Sequence, residues 1–292
     1  MMLDNYLLEE LAAFARTGTL AKTASQLNVT QPTVTRGMQK LETDWGVRLF
    51  DRQPNRITLT PTGQLAAQEA AKLLQAQHEA IAKVQNYDRN QRVLNVGAII
   101  PGPLMLLAHV LPTLATHVKI SQTLITADEP TTLLTDNTYS LILSSQPLTT
   151  ATVASSYLGE ERLSINLNRF MYQANQSSIT FAELKDLSFL VLSDIGPWRA
   201  IIQQAIPNAK FLYQDQREAF EEISKYADFP SFSSNLSRDD PLFTQPAPED
   251  GRVRIPISDA RAHMPVYAAY LRANKATVKP VIDQLLADWP VS

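Results

Sequence analysis

Hydrogen-bonding side chains are concentrated in a short stretch near the start of the chain. Within residues 30–40 they are Thr30, Gln31, Thr33, Thr35, Arg36, Gln39 and Lys40. Glutamine can pair with an adenine edge through two hydrogen bonds, and threonine and arginine can bind phosphates or guanine. These residue types therefore offer contact with a nucleic acid, although the same polar surface could simply face water.

Three predicted helices position this stretch. Leu7, Leu11 and Phe14 recur with the spacing of one helix face, and a second helix is predicted over residues 20–27. After a tight turn, Thr30 is suited to cap a third helix. The apolar stripe of this third helix consists of Val34, Met38, Leu41 and Trp45. Two short helices joined by a tight turn have the geometry that enters a DNA major groove, whereas a plain amphipathic bundle is the alternative.

A β-hairpin is predicted directly after the third helix. Residues 47–52 and 56–60 have the pattern of two short strands, with a turn at residues 53–55. Arg52 and Arg56 flank this turn. The segment from the helix-turn-helix to the end of the hairpin has a small excess of cations, although the whole chain has a net charge of −3. Any basic surface must therefore be local.

The motifs of this segment match a known family. The runs TQPTVTR at 30–36, GVRLFDR at 46–52 and LTPTG at 59–63 closely resemble the LysR-type transcriptional regulators. The resemblance is strong up to residue 65 and diffuse afterwards. It implies an N-terminal winged helix-turn-helix over residues 1–60, with the hairpin as the wing. By this resemblance the DNA contacts come from Thr30, Gln31, Thr33, Thr35, Arg36, Arg52 and Arg56.

A long helix is predicted over residues 61–88, where no Gly or Pro follows Gly63. At 1.5 Å per residue it would extend roughly 40 Å. One stripe of the helix follows the three-and-four spacing of a coiled coil, at Ala66, Ala70, Leu73, Gln77, Ala80 and Val84. This stripe could pack on its own domain or on a second copy. The family's linker helix pairs two subunits, so the resemblance implies a homodimer or a homotetramer.

The remaining residues, 92–292, alternate between strand-like and helical patterns. Strands are predicted over 93–98, 119–125, 139–143, 189–192 and 266–271. Helices are predicted over 102–116, 180–187, 197–206 and 217–226. Such alternation predicts an α/β fold in which parallel strands are covered by helices.

The resemblance further implies that residues 92–292 are an effector-binding domain of two subdomains, similar to periplasmic binding proteins. Subdomain I would comprise about 92–161 and 267–292, and subdomain II about 162–266. The chain would cross between them near residues 159–166 and 263–267.

Because open α/β sheets bind ligands beyond the carboxyl ends of their strands, a cleft between the subdomains is the candidate effector site. The candidate residues are Ile100, Pro101, Gly102, Thr126, Ser193, Asp194, Trp198 and Arg199. Amides at the start of a helix at Pro197 could receive an anion, and Arg199 could clamp a carboxylate.

Two departures from the family pattern affect this site. The family often has small hydroxyl residues where Ile100 and Pro101 stand here, and a glycine-rich turn where residues 227–232 stand. Phe229 and Phe232 favour a more apolar cleft, so the effector could be aromatic or hydrophobic, or the pocket could be closed.

The resemblance implies a sequence-specific DNA-binding transcriptional regulator that a small-molecule effector modulates, with RNA polymerase as a further partner. A regulator without an effector and an enzyme with a DNA-binding appendage are the alternatives. The chain has no cysteine, four scattered histidines and none of the HExxH, P-loop or GxSxG motifs, so neither catalysis nor a metal or other cofactor is expected. The acidic start and the lack of a long apolar run predict a cytoplasmic protein with no membrane partner.

Overall fold

The structure is a computed structural model with two compact units, Met1–Gln85 and Asn86–Ser292. It describes residues 4–53, 56–126, 128, 130–237 and 251–290. Pro54 and Asn55, at the predicted tip of the hairpin, lie outside the described residues.

The first unit begins with the three predicted helices, which the structure confirms. They are α1 (Asn5–Thr17), α2 (Leu20–Gln26) and α3 (Gln31–Trp45). The hydroxyl of Thr19 caps α2 and that of Thr30 caps α3, each by accepting a backbone N–H three residues later. The apolar faces meet in one core formed by Leu7, Leu11, Phe14, Val34, Met38, Leu41, Leu49 and Phe50.

The predicted hairpin and long helix follow. Strands β1 (Phe50–Gln53) and β2 (Arg56–Leu59) pair antiparallel, and α4 (Pro61–Asn90) starts two residues later. Thr60 joins them: its N–H donates to the Leu49 carbonyl at 2.9 Å, and its hydroxyl donates to the Arg48 carbonyl at 3.0 Å. The same hydroxyl accepts from the Gly63 N–H at 2.9 Å, which caps α4.

The two halves of α4 have different surroundings within the first unit. Ala66, Ala67 and Ala70 are buried in the core of the helix-turn-helix. Beyond them every residue from 75 to 85 is exposed, including Ile81 at 47% and Val84 at 69%. Packing on its own domain therefore accounts for only the first turns of the predicted stripe.

The second unit is a mixed sheet of nine strands within the described residues. The strands are β3 (Leu94–Ala98), β4 (Val118–Ile120), β5 (Leu141–Ser144), β6 (Val153–Asn168), β7 (Ser188–Leu192), β8 (Lys210–Gln214), β9 (Ser231–Ser234), β10 (Arg252–Pro256) and β11 (His263–Leu271). The α-helices are α5 (Gly102–Val110), α6 (Pro130–Thr135), α7 (Trp198–Ala205), α8 (Arg217–Tyr226) and α9 (Lys275–Ala287).

Two long strands join the halves of this sheet. The order is β4-β3-β5-β11-β6-β9-β7-β8, with β10 paired to β6. The first part of β6 pairs antiparallel with β11, and its last residues pair with β9 and β10. In one half β3 runs parallel to β4 and β5, and in the other β7 runs parallel to β8 and β9. The segments 159–166 and 263–267, expected to cross between subdomains, lie in these two long strands.

Several predicted elements of the second unit were wrong in extent. The strand expected over 119–125 is β4, which ends at Ile120, and the helix expected over 102–116 ends at Val110 before a short 3₁₀ turn. The segment 180–187 contains a 3₁₀ turn rather than an α-helix, although Thr180 and Glu183 form a capping box at its start. Strands β6, β8, β9 and β10 and helices α6 and α9 were not predicted.

Substituting Gly63 by alanine tests how closely α4 must approach the wing. A Cβ atom there would overlap the backbone carbonyl of Leu49, which side-chain rotation cannot move. We expect Gly63→Ala to destabilise the protein by about 1–3 kcal/mol, the usual cost of overpacking. Thermal unfolding followed by circular dichroism would measure the loss. Gln68→Ala, at an exposed position of the same helix, is the control, and equal melting temperatures for both variants would contradict this packing.

Candidate functional site

The polar face of α3 begins at its capped N-terminus. Gln31 and Arg36 are exposed, and Thr33 and Thr35 are half-buried. The Thr30 hydroxyl lies 2.9 Å from that of Thr33, and the Thr35 hydroxyl donates to the Gln31 carbonyl at 3.0 Å. The first two turns therefore present an amide, hydroxyls and a guanidinium on one ordered surface, which suits base edges and phosphates.

The wing is fixed to α3 by the side chain of Glu42. One carboxylate oxygen accepts the N–H groups of Leu49 at 2.8 Å and Phe50 at 3.0 Å. The other oxygen pairs with the Arg52 guanidinium at 2.8 Å. These bonds set the position of the wing relative to α3. Arg52 is therefore already engaged in an ion pair, and a phosphate contact would compete with it or add to it. The sequence motif did not reveal this ion pair.

The other wing arginines differ in their partners. Arg48 pairs with Asp51 at 2.8 Å. Arg56 is exposed and forms no ion pair with any residue that the structure describes. Of these three cations, Arg56 is thus the one whose charge is most available to a phosphate backbone.

A buried carboxylate lies behind α3. Glu10 of α1 is only 4% exposed, and its side chain lies against Gly37, whose missing Cβ leaves the space. The Oε2 atom of Glu10 has no hydrogen-bond partner in the described part of the chain. Burial raises the pKa of Glu10 to about 7, because the charged form loses its hydration.

The second unit contains a cavity of about 80 Å³ between the two halves of its sheet. Four of the eight candidate effector residues line it, namely Pro101, Gly102, Asp194 and Trp198. Phe232 also lines the cavity, whereas Phe229 packs beside it against the cluster of Leu190 and Phe220.

The other four candidate residues do not line this cavity. Ile100 is fully buried in the core, and the Ser193 N–H donates to the Gln214 carbonyl on the neighbouring strand. Thr126 is exposed elsewhere. Arg199 is exposed as well and lies over the ring of Tyr213 at 4.2 Å. The predicted carboxylate clamp is therefore corrected: Trp198 is buried, and the next residue along α7 points about 100° away from it.

Sequence reasoning missed the residue with the most unusual environment in the cavity. Glu161 of β6 is 2% exposed, and its carboxylate accepts the indole N–H of Trp198 at 3.1 Å. It lies directly against Gly102, where a Cβ would overlap it. The only sequence signal was the charged run Glu160-Glu161-Arg162 inside an otherwise apolar pattern.

Two kinds of feature are absent from the described residues. No cluster of three His, Cys, Asp or Glu side chains suited to a metal ion occurs there. Nor does any helix in that part of the chain have the length and apolar character needed to span a membrane.

Residues 6–64 match the family model described as bacterial regulatory helix-turn-helix protein, lysR family. The chain is 33% identical over 93 residues to the SDS degradation transcriptional activation protein of Pseudomonas sp., covering 31% of this chain and 30% of that protein. It is 36% identical over 93 residues to the HTH-type transcriptional regulator GltR of Bacillus subtilis, covering 32% and 31%. The chain thus matches about three tenths of the length of these relatives.

Two solved structures are similar over nearly the whole chain. Vibrio fischeri DarR in complex with DNA has a TM-score of 0.63 at 18% identity and covers 98% of each chain. A full-length OxyR variant from Pseudomonas aeruginosa has a TM-score of 0.51 at 20% identity, covering 98% of this chain and 95% of that chain. The shared fold is a helix-turn-helix with a long helix, followed by a two-part α/β unit.

The buried carboxylate of Glu10 predicts a pH-dependent stability. Because its pKa rises from 4.5 to about 7 on folding, the folded state binds its proton more tightly than the unfolded state. Stability should therefore fall as the pH rises from 4.5 to 7, and Glu10→Gln should remove this loss. We expect the variant to be more stable than the parent by about 1–3 kcal/mol at pH 8 and by little at pH 4.5.

Thermal melts of the parent and Glu10→Gln at both pH values measure this difference. Glu9→Gln, at the exposed neighbouring position, is the matched control and should change little at either pH. A gain for Glu10→Gln that is equal at both pH values would show that Glu10 is not the titrating group.

Proposed function

We propose that this chain, whose residues 6–64 match the lysR-family helix-turn-helix model, is a LysR-type regulator: a sequence-specific DNA-binding transcriptional regulator whose DNA binding or activation responds to a small-molecule effector. The observation that carries this proposal is the ordered polar face at the start of α3, with the wing fixed beside it by Glu42. A recognition helix with a flanking wing can read base edges and contact the adjacent backbone at once.

The proposed division of roles follows from side-chain chemistry. Gln31, Thr33 and Thr35 contact base edges or nearby phosphates, and Arg36 binds guanine or phosphate. Thr30 acts by ordering the first turn, since its hydroxyl is engaged in the cap. Arg52 and Arg56 supply mostly sequence-independent affinity from the wing, which should be sensitive to salt.

We assign the exposed second half of α4 to self-association. Ile81 and Val84 are large apolar side chains on a helix surface without cover in the first unit. A second copy of the helix would bury this stripe as a coiled coil and bring two recognition helices to one operator. The proposed assembly is a homodimer or a homotetramer.

The proposed partners are double-stranded operator DNA, a small-molecule effector in the cavity of the second unit, and RNA polymerase. Such a regulator works where its DNA is, in the cytoplasm. Effector binding would favour one pose of the two halves of the second unit, because a ligand shifts an equilibrium only by its differential affinity for the two states.

The small size of the cavity favours a second candidate function, a regulator without a small-molecule effector. A volume of about 80 Å³ is roughly half of that of an engineered cavity that binds benzene. Regulation would then come from a protein partner or from the abundance of the protein itself. Metabolites that leave promoter binding and transcription unchanged would favour this candidate.

DNA binding is tested by letting the purified chain bind sheared genomic DNA of the organism that it comes from. The strongest sites are then footprinted at a stated salt concentration. We expect protected sites made of two half-sites related by two-fold symmetry. The double variant Arg36→Ala with Arg52→Ala should lose specific protection while remaining folded, because Arg36 is exposed and the surface ion pair of Arg52 with Glu42 contributes about 1 kcal/mol or less. Arg261→Ala removes one exposed cation from the second unit and serves as the control. Retained operator affinity in the double variant would refute the contact assignment.

Self-association is tested by placing a charge on the exposed stripe of α4. We expect Val84→Glu to weaken the dimer at least about tenfold, because a buried unpaired carboxylate is costly to desolvate. Ala82→Glu adds the same charge about 200° around the helix and should have little effect. Sedimentation equilibrium of both variants decides the matter, and equal weakening by the two would point to charge repulsion alone.

A further inference from the structure

The cavity of the second unit has an acidic polar lining. Its ionisable lining residues, within the described part of the chain, are Glu161 and Asp194, and no Lys, Arg or His lines it there. A groove that adjoins it past Asp194 adds Asp215 and Arg217. The charges around the cavity therefore oppose an anionic ligand.

Within the described residues, the groups that contact Glu161 are neutral. The Trp198 indole of α7 and the Ser234 side chain of β9 are hydrogen-bonded to it, and Gly102 of α5 contacts it. Its neighbour Glu160 instead pairs with Arg162 and lies 3.7 Å from His263, so these charges compensate one another. A carboxylate has about four acceptor positions, so two neutral donors leave capacity for another donor.

Apart from Ser233, Ser234 and Ser237, the rest of the cavity wall is mostly apolar. It includes the side chains of Met105, Leu190, Ile195, Ile202, Phe220 and Phe232. A ligand here exchanges water for aliphatic and aromatic contacts and meets one buried carboxylate. Burial also raises the pKa of Glu161 to about 6, because its charged form loses hydration and the hydrogen bonds from Ser234 and Trp198 offset only part of that cost.

We propose that this cavity binds a compact apolar molecule carrying a protonated amine, with the ammonium group hydrogen-bonded to Glu161. The inference rests on the proposed function of the second unit as an effector sensor, and it names the effector's chemical class. An ammonium group satisfies the free acceptor positions and supplies the missing positive charge, while the apolar part packs on Phe220 and Phe232. A carboxylate effector would bring a second negative charge to a site whose described lining residues include no cation.

The test compares three probes of equal size: isobutylamine, isobutanol and isobutyrate. We expect isothermal titration of the full chain at pH 8 to show isobutylamine binding at least about tenfold more tightly than isobutanol. Isobutyrate should give no measurable heat. Tighter binding of isobutyrate than of isobutylamine, or no binding of any probe, would overturn the proposal.

Two variants assign the binding to the proposed carboxylate. Glu161→Gln keeps the shape and should lose about tenfold in isobutylamine affinity, with isobutanol affinity nearly unchanged. Asp194 lies at the exposed rim, so Asp194→Asn should lose less isobutylamine affinity than Glu161→Gln. Unchanged isobutylamine affinity in Glu161→Gln would refute the role of Glu161.

A pH series on the unaltered chain gives a second readout if Glu161→Gln does not fold. Isobutylamine stays protonated over this range, whereas Glu161 loses its charge as the pH falls through about 6. Its affinity should therefore drop by about tenfold between pH 8 and pH 5, while that of isobutanol stays nearly level. Equal pH dependence of both probes would count against the proposal.

Footprinting without any probe separates this inference from the proposed function. Specific footprints together with failed amine binding would leave the regulator intact and reject only the ligand class. Absent footprints would reject the regulator itself, whatever the titrations show.

Discussion

Directional hydrogen bonds at the two ends of the wing determine how the wing is oriented relative to α3 and α4. Glu42 accepts three bonds at the end of α3, and the Leu49 carbonyl accepts one from Thr60 at the start of α4. The apolar core beneath them provides most of the driving force for folding, but apolar burial has no direction. Orientation therefore depends on these few polar contacts and on the absence of a side chain at Gly63, where the backbone of the wing comes close.

The first unit could be predicted well from sequence because its determinants are local. Thr30 caps the helix that it precedes, and Thr60 and Gly63 act within three residues of each other. The second unit was harder to predict because its partners are distant in sequence. Strand β6 pairs with segments up to about 120 residues away, and its charged centre hides the strand pattern. Glu161 could not be recognised as a cavity residue from sequence, because its contacts Gly102 and Trp198 are brought to it only by the fold.

The candidate effector site shows why residue type alone is a weak guide to ligand charge. Arg199 had the right chemistry for an anion but lies outside, where its guanidinium stacks on Tyr213. Its neighbour Trp198 turns inward and directs its N–H to a carboxylate. Successive residues of α7 point in different directions. If Arg199 were buried in place of Trp198, the cleft would suit an anion, whereas with Trp198 buried it favours a positively charged ligand. Which side chain α7 buries therefore decides whether the cavity gains a positive charge.

The two long strands of the second unit have a consequence for how such a protein can change over generations. Because β6 and β11 take part in both halves of the sheet, a gene recombination that replaced one half would cut through paired strands. The chain passes between its two units only once, along α4. A single crossover in α4 can therefore exchange the first unit as a whole, whereas a crossover inside the second unit separates strands that pair with each other.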